Sequence, residues 1–245
     1  MSQGSLGVIA GTGFTAIDAL EDPRPLEVVT EFGTVGALIG RLAGRRTVFL
    51  ARHGRDHSVP PHLVNYRALI QALVDQGVTE VLAVNVVGGI GPEPGQLVVV
   101  DDFIDFTRSR VSSFFDGAPP HGVVHVDVTE PYDPRLRAVW VDAAADLGLE
   151  VIPEGVYGAF EGPRFETRAE IRMARAAGVT VVGMTGVPEV VLAKERDLPY
   201  AALCLVVNPA AGLGPPVSVE AILAQISAGA ESVQSTIAEA ARRLA

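Results

Sequence analysis

Six short stretches of the chain are apolar almost without interruption: 6–10 (LGVIA), 47–51 (TVFLA), 80–87 (EVLAVNVV), 96–100 (QLVVV), 180–184 (TVVGM) and 201–207 (AALCLVV). Each has strand length and several β-branched residues. The missing polar alternation predicts strands covered on both faces, as in a central sheet flanked by helices. Between them the period changes, and helical spacing predicts helices over 63–76, 134–147, 168–177, 188–196 and 219–244. The last repeats apolar residues at Val219, Ile222, Leu223, Ile226, Val233 and Ile237, with Ser218 placed as its N-cap. Strands alternating with helices are the pattern of an α/β fold. No linker, repeat or shift in composition divides the chain, so residues 1–245 read as one domain.

Composition narrows the function. With 245 residues, 48% of them hydrophobic and 20% charged, the chain has enough apolar material for a large core. A formal net charge of −10 argues against a nucleic-acid partner, which calls for basic stripes. A small anion can still be bound where a local cluster of donors overrides the global field. The single cysteine, Cys204, lies inside an apolar run and reads as a buried, inert thiol; no intrachain disulfide or cysteine metal site can form. The start of the sequence, MSQGSLGVIAGTG, has neither a basic leader nor a long apolar core. No apolar run approaches the ~18 residues of a membrane span, so a cytoplasmic protein without a membrane partner is expected.

Polar groups gather where the apolar strands end. IAGTGF sets two glycines around Thr12, a loop able to aim N–H groups and a hydroxyl at an anion, although Ala16 stands where a dinucleotide fingerprint needs its third glycine. FLARHGRDH brings Arg52 and His53 directly after a strand, followed by Gly54, Arg55 and His57. It reads either as a solvated basic turn or as an anion site; the i,i+4 pair His53/His57 has metal-ligand spacing only if the segment is helical. In AVNVVGGIGPEPG, Asn85 interrupts a buried strand and Gly88-Gly89 permits close approach to the backbone. In VVGMTGVPEVVLAKE, Met184 and Thr185 end a strand, and Thr185 reads either as a helix cap or as a site hydroxyl. Asn208, in VVNPAAG, opens a turn before Pro209 or faces a ligand. Ligands of open α/β sheets sit beyond the carboxyl ends of strands, and Thr12, Arg52, His53, Asn85, Thr185 and Asn208 all fall at or near such ends.

With these residues in view, the chain resembles the trimeric class of purine nucleoside phosphorylases, and within it the methylthioadenosine and methylthioinosine branch. The segments that carry the resemblance span nearly the whole chain: GTGF, ARHGRDHSVPPHLVNYRA, NVVGGIGPEPGQLVVVDDFIDFT, HVDVTEPYDP, EGPRFETRAE and GMTGVPEVVLAKE. It implies an α/β fold with a central mixed sheet flanked by helices, a homotrimer with sites at subunit interfaces, and transfer of phosphate to C1′ of a purine nucleoside. It implies no metal or redox cofactor, inorganic phosphate being a co-substrate. The implied phosphate site is Thr12, Arg52, His53, the backbone at Val86, and Thr185. Met184 is implied to lie under the ribose and Phe165 against the base, while Asn208, Glu166 and His53 are the implied catalytic residues.

Two positions bear on the choice of purine. Adenine-type members carry an acidic TDYD-like segment where this chain reads VNPA, with Asn208 and Ala210 in place of both carboxylates. A 6-oxopurine offers N1–H as donor and O6 as acceptor, so a Glu166 carboxylate fits N1–H and opposes the N1 lone pair of adenine. Asn208 can donate to O6 and accept from a protonated N7. On the 5′ side, where ordinary nucleoside phosphorylases use a C-terminal histidine, this chain offers Val219 and Ile222, and no histidine follows His125. That lining favours a methylthio group, and His125 matches a residue that a neighbouring subunit contributes. The expected reaction is phosphorolysis of methylthioinosine. The alternatives are a general inosine/guanosine phosphorylase, then a methylthioadenosine phosphorylase, and from another class a non-catalytic nucleotide-binding module.

Overall fold

Strand β5 (Val78–Gly89) is the axis of the molecule, because three neighbours share its length. In a computed structural model describing residues 4–54, 56–118 and 120–245, its first half pairs with β1 (Ser5–Ala10) in parallel. From Val81 onward its other edge pairs in parallel with β11 (Tyr200–Pro209), and its end pairs antiparallel with β10 (Val181–Gly183). Beyond β1 the sheet continues through β4 (Arg45–Ala51), β3 (Gly33–Leu42) and β2 (Glu21–Thr30). Beyond β10 it continues through β9 (Val156–Ala159) and β7 (Asp102–Asp105), while β6 (Leu97–Val99) and β8 (Val151–Ile152) extend from β11. Parallel and antiparallel pairs coexist, so the sheet is mixed.

Helices cover both faces, which is why the central strands lack polar alternation. Along β11, Ala202, Cys204 and Val206 join a core with α1 (Tyr66–Asp75) and α4 (Gly186–Glu195). Ala201, Leu203, Leu205 and Val207 point the other way, toward α2 (Pro134–Asp146) and α5 (Val219–Arg243). Trp140 of α2 is fully buried there and donates its indole N–H to the Ala201 carbonyl at 3.3 Å. Caps define the helix starts: Asp133 accepts from Leu136 N, Ser218 from Ala221 N, and Thr167 with Glu170 forms a reciprocal capping box ahead of α3 (Arg168–Ala176). Val187 keeps an extended backbone (φ −121°, ψ 134°), so regular helix in α4 begins at Pro188, as its sequence predicts.

The six predicted strands and five predicted helices are all present, with ends shifted by up to three residues. Strands β2, β3, β7, β8 and β9 go beyond the sequence reading. Strand β2 contains Pro23 and Pro25 and is mostly exposed, which a strand paired on one edge tolerates. Cys204 is buried as expected, and burial pushes its thiol pKa up to about 12. No helix among the described residues is long and apolar enough to cross a membrane.

Candidate active site

The carboxyl ends of β1, β4, β5 and β11 lie along one side of the sheet, since these four strands run parallel. Strand β10 reaches the same place differently. It runs antiparallel to the end of β5, with Val181 opposite Gly89 and Val182 opposite Gly88, and so carries Met184 and Thr185 back toward Val86 and Asn85. The result is a cavity of about 670 Å³ lined by Thr12, Arg52, His53, Val86, Phe165, Glu166, Met184, Thr185, Asn208, Val219 and Ile222. These candidates from the sequence therefore meet in one cavity, while Asn85 is buried behind Thr185 and does not line it. His125 is exposed, lies outside regular structure and does not line this cavity within one protomer. Arg55 lies outside the described residues.

One end of the cavity is built from donors. Arg52 is buried, and its Nε and Nη2 donate to the two carboxylate oxygens of Glu189 at 2.6 and 2.7 Å. Its Nη1 donates to the Val84 carbonyl at 3.2 Å, and Glu189 accepts a further bond from Tyr200 Oη at 2.7 Å. Burial opposes the charge on Arg52, but Glu189 outweighs it and holds the guanidinium pKa above its usual value. His53 Nδ1 lies 2.8 Å from the Val59 carbonyl, which requires a proton on that nitrogen and leaves Nε2 facing the cavity side. Burial, with Arg52 and His57 adding to it, lowers the His53 pKa to about 4, against the pull of the Val59 carbonyl and Glu189.

The i,i+4 spacing of His53 and His57 is not helical, since His57 sits at φ 54° in the loop after β4. The two rings lie 4.9 Å apart, and His57 Nε2 is hydrogen-bonded to Thr12 Oγ1 at 2.9 Å. Thr185 stands at the N-terminus of α4 without capping it. Its hydroxyl donates to Asn85 Oδ1 at 3.2 Å, while the Thr185 and Gly186 N–H groups both donate to Tyr157 Oη at 3.1 Å. The side-chain cap expected of Thr185 is therefore not made; its hydroxyl is held by Asn85 and lines the cavity.

The opposite end carries Phe165 and Glu166, from the loop before α3, and Asn208 at the end of β11. Phe165 is 40% exposed, an aromatic face open to the cavity. Burial raises the Glu166 carboxyl pKa, only partly countered by its own backbone N–H and Arg164. The Asn208 amide donates to the Pro209 carbonyl at 2.7 Å. A Cβ at Gly88 would lie 3.4 Å from Asn208 Nδ2 and 3.2 Å from Val182, so glycine leaves room for the amide. Along the third side, the first turn of α5 presents Val219, Ile222 and Leu223, residues on one helix face at 57% and 51% exposure for Val219 and Leu223.

Two of these features go beyond what the sequence suggests. Glu189 escapes notice because an acid on a helix reads as solvent-facing; its signal is its place inside the apolar run GVPEVVLA. Leu223 belongs to the apolar stripe of α5, where spacing alone assigns it to core, yet it lines the cavity.

Residues 5–244 match the phosphorylase superfamily. The chain is 50% identical over 211 residues to a probable S-methyl-5′-thioinosine phosphorylase of Methanopyrus kandleri, covering 85% of this chain and 80% of the relative. It is 46% identical over 216 residues to a probable 6-oxopurine nucleoside phosphorylase of Thermococcus kodakarensis, covering 86% and 81%. Among solved structures, the methylthioadenosine phosphorylase of Schistosoma mansoni in complex with adenine superposes with a TM-score of 0.92 at 32% identity, covering 97% of this chain and 90% of that one. Fold and sequence agree: the chain belongs to the phosphorylase superfamily.

Proposed function

We propose that the protein is a purine nucleoside phosphorylase that cleaves the N-glycosidic bond of a 6-oxopurine nucleoside, S-methyl-5′-thioinosine first among them. The products are hypoxanthine and 5-methylthioribose 1-phosphate. The observation that carries the reading is one cavity with Thr12, Arg52, His53, Val86 and Thr185 at one end and Glu166 with Asn208 at the other. Phosphate held at the first end is placed to attack C1′ beneath a ribose resting on Met184. As the bond breaks the sugar becomes oxocarbenium-like and the purine takes up negative charge, which Asn208 accommodates by donating to the base. Glu166, accepting from N1–H, favours the 6-oxo over the 6-amino base. Phe165 packs on the purine.

Preference for the methylthio substituent is supported by Val219, Ile222 and Leu223 along the cavity wall, where a 5′-hydroxyl finds no polar partner among those three. A second reading, a general phosphorylase of inosine and guanosine, draws on the name of the Thermococcus relative. We further propose one nucleoside phosphorylase domain, assembled as a homotrimer in which His125 of one protomer completes a neighbour's 5′ pocket. Phosphate is the co-substrate and no cofactor takes part. Parallel phosphate-dependent assays on methylthioinosine, inosine and methylthioadenosine test the assignment: the order of specificity constants should follow that sequence. Equal values for the first two would promote the second reading.

A further inference from the structure

Among the described residues, the donor end of the cavity is short of positive charge. Arg52 is the one guanidinium they place there, and both carboxylate oxygens of the buried Glu189 already balance it at 2.6 and 2.7 Å. Of its five N–H groups, two go to Glu189 and one to Val84, leaving two for a ligand. The N-terminus of α4 adds little, because its first N–H groups are taken by Tyr157 Oη. The Thr185 proton is taken by Asn85. His53 has Nδ1–H committed to the Val59 carbonyl, so its Nε2 carries a lone pair while the ring is neutral. A lone pair facing a dianion is repulsive.

The geometry shows where these groups converge. The Cβ that any other residue would place at Gly11 lies 3.0 Å from Arg52 Nη1 and 3.7 Å from His53 Nε2. Both nitrogens thus border the same small space over the glycine, where an oxygen of the anion can reach each. Resting on the phosphate-site reading, we propose that phosphate dianion enters this site together with one proton from solvent, held in the hydrogen bond between His53 Nε2 and a phosphate oxygen. The imidazolium so formed supplies the charge that the Arg52–Glu189 pair does not. The groups facing His53 set the balance. Arg52 and His57 on its own loop oppose the added proton, Glu189 from α4 favours it, the Val59 carbonyl accepts Nδ1–H in either state, and Asp56 on the same loop is exposed to solvent. Burial keeps the empty ring neutral, with a pKa of about 4, so the proton arrives with the anion.

The test is calorimetric titration of the native protein with inorganic phosphate, above the second ionisation of phosphate, in two buffers of widely different ionisation enthalpy. The expected result is a buffer-dependent heat equivalent to uptake of close to one proton per phosphate, with affinity falling about tenfold per pH unit. Intact binding with equal heats in both buffers would overturn the proposal and leave the phosphorylase reading standing. Absence of phosphate binding, together with absence of phosphate-dependent base release, would overturn both. In His53→Gln the uptake should vanish while weaker binding remains; persistence of the uptake would move the proton elsewhere and overturn the assignment. Glu189→Gln reads the same balance from the other side: an uncompensated guanidinium should reduce the uptake below the native value, and an unchanged uptake would contradict it.

Discussion

Glu189 decides what Arg52 can offer, and the pair ties the site to the fold. Both side chains are fully buried, so removing either leaves an unpaired charge. Arg52→Ala should therefore lose about 3–5 kcal/mol of folding stability, in addition to weakening phosphate binding by about 1.5–3 kcal/mol. Denaturant unfolding checks this: the double variant Arg52→Met with Glu189→Leu should regain most of the lost stability, and equal losses in single and double variants would contradict it. At the other end, Asn208→Asp should slow 6-oxopurine cleavage about 10- to 100-fold, because a carboxylate cannot donate to O6. Specificity constants read the effect, and an unchanged value would remove Asn208 from base reading. Burial raises the Glu166 pKa, and the ionised form is the one that accepts from N1–H. Cleavage of the 6-oxo substrate should accordingly rise as pH climbs through that raised pKa, and Glu166→Gln should flatten the limb. Arg52, His53 and Asn208 are legible in sequence because each is a polar residue at the end of an apolar strand. Glu189 is not, since only the three-dimensional register of α4 turns that carboxylate inward.

At the scale of elements, the site depends on one reversal and one helix start. The antiparallel entry of β10 beside the end of β5 brings Met184 and Thr185 to the cavity. Alternating apolar segments predict strands but carry no strand direction, so this convergence is not readable from the chain alone. The two-faced burial of β1, β5 and β11 is readable, because a continuous apolar run of strand length would leave one face wet in any sheet covered on a single side. Strands β2 and β3 are not, since their residues are mostly exposed or small and two prolines interrupt the pattern. The first turn of α5 sets the 5′ wall. Burying a methylthio group there should favour methylthioinosine over inosine by roughly 1–3 kcal/mol in transition-state binding. Val219→His should narrow that margin by giving a hydroxyl a partner. A margin unchanged in the variant would show that the helix start does not contact the substituent.

At the scale of the whole molecule, a chain with net charge −10 places Thr12, Arg52, His53 and Thr185 along one cavity, where the buried Glu189 balances Arg52. Phe165, Val219 and Leu223 on the cavity wall are exposed, and His125 is exposed and does not line the cavity of its own protomer. A closed trimer with shared sites accounts for both; sedimentation should find trimers at assay concentration, and a fully active monomer would contradict shared sites. The proposed roles of Glu166 and Asn208 are to select a 6-oxopurine nucleoside for attack by phosphate. The most direct measurement is phosphate-dependent release of base from methylthioinosine and methylthioadenosine by the unmodified protein under identical conditions. Hypoxanthine should be released far faster than adenine, with no base from either nucleoside when phosphate is left out. Preferred cleavage of methylthioadenosine would contradict selection of the 6-oxo base by Glu166 and Asn208.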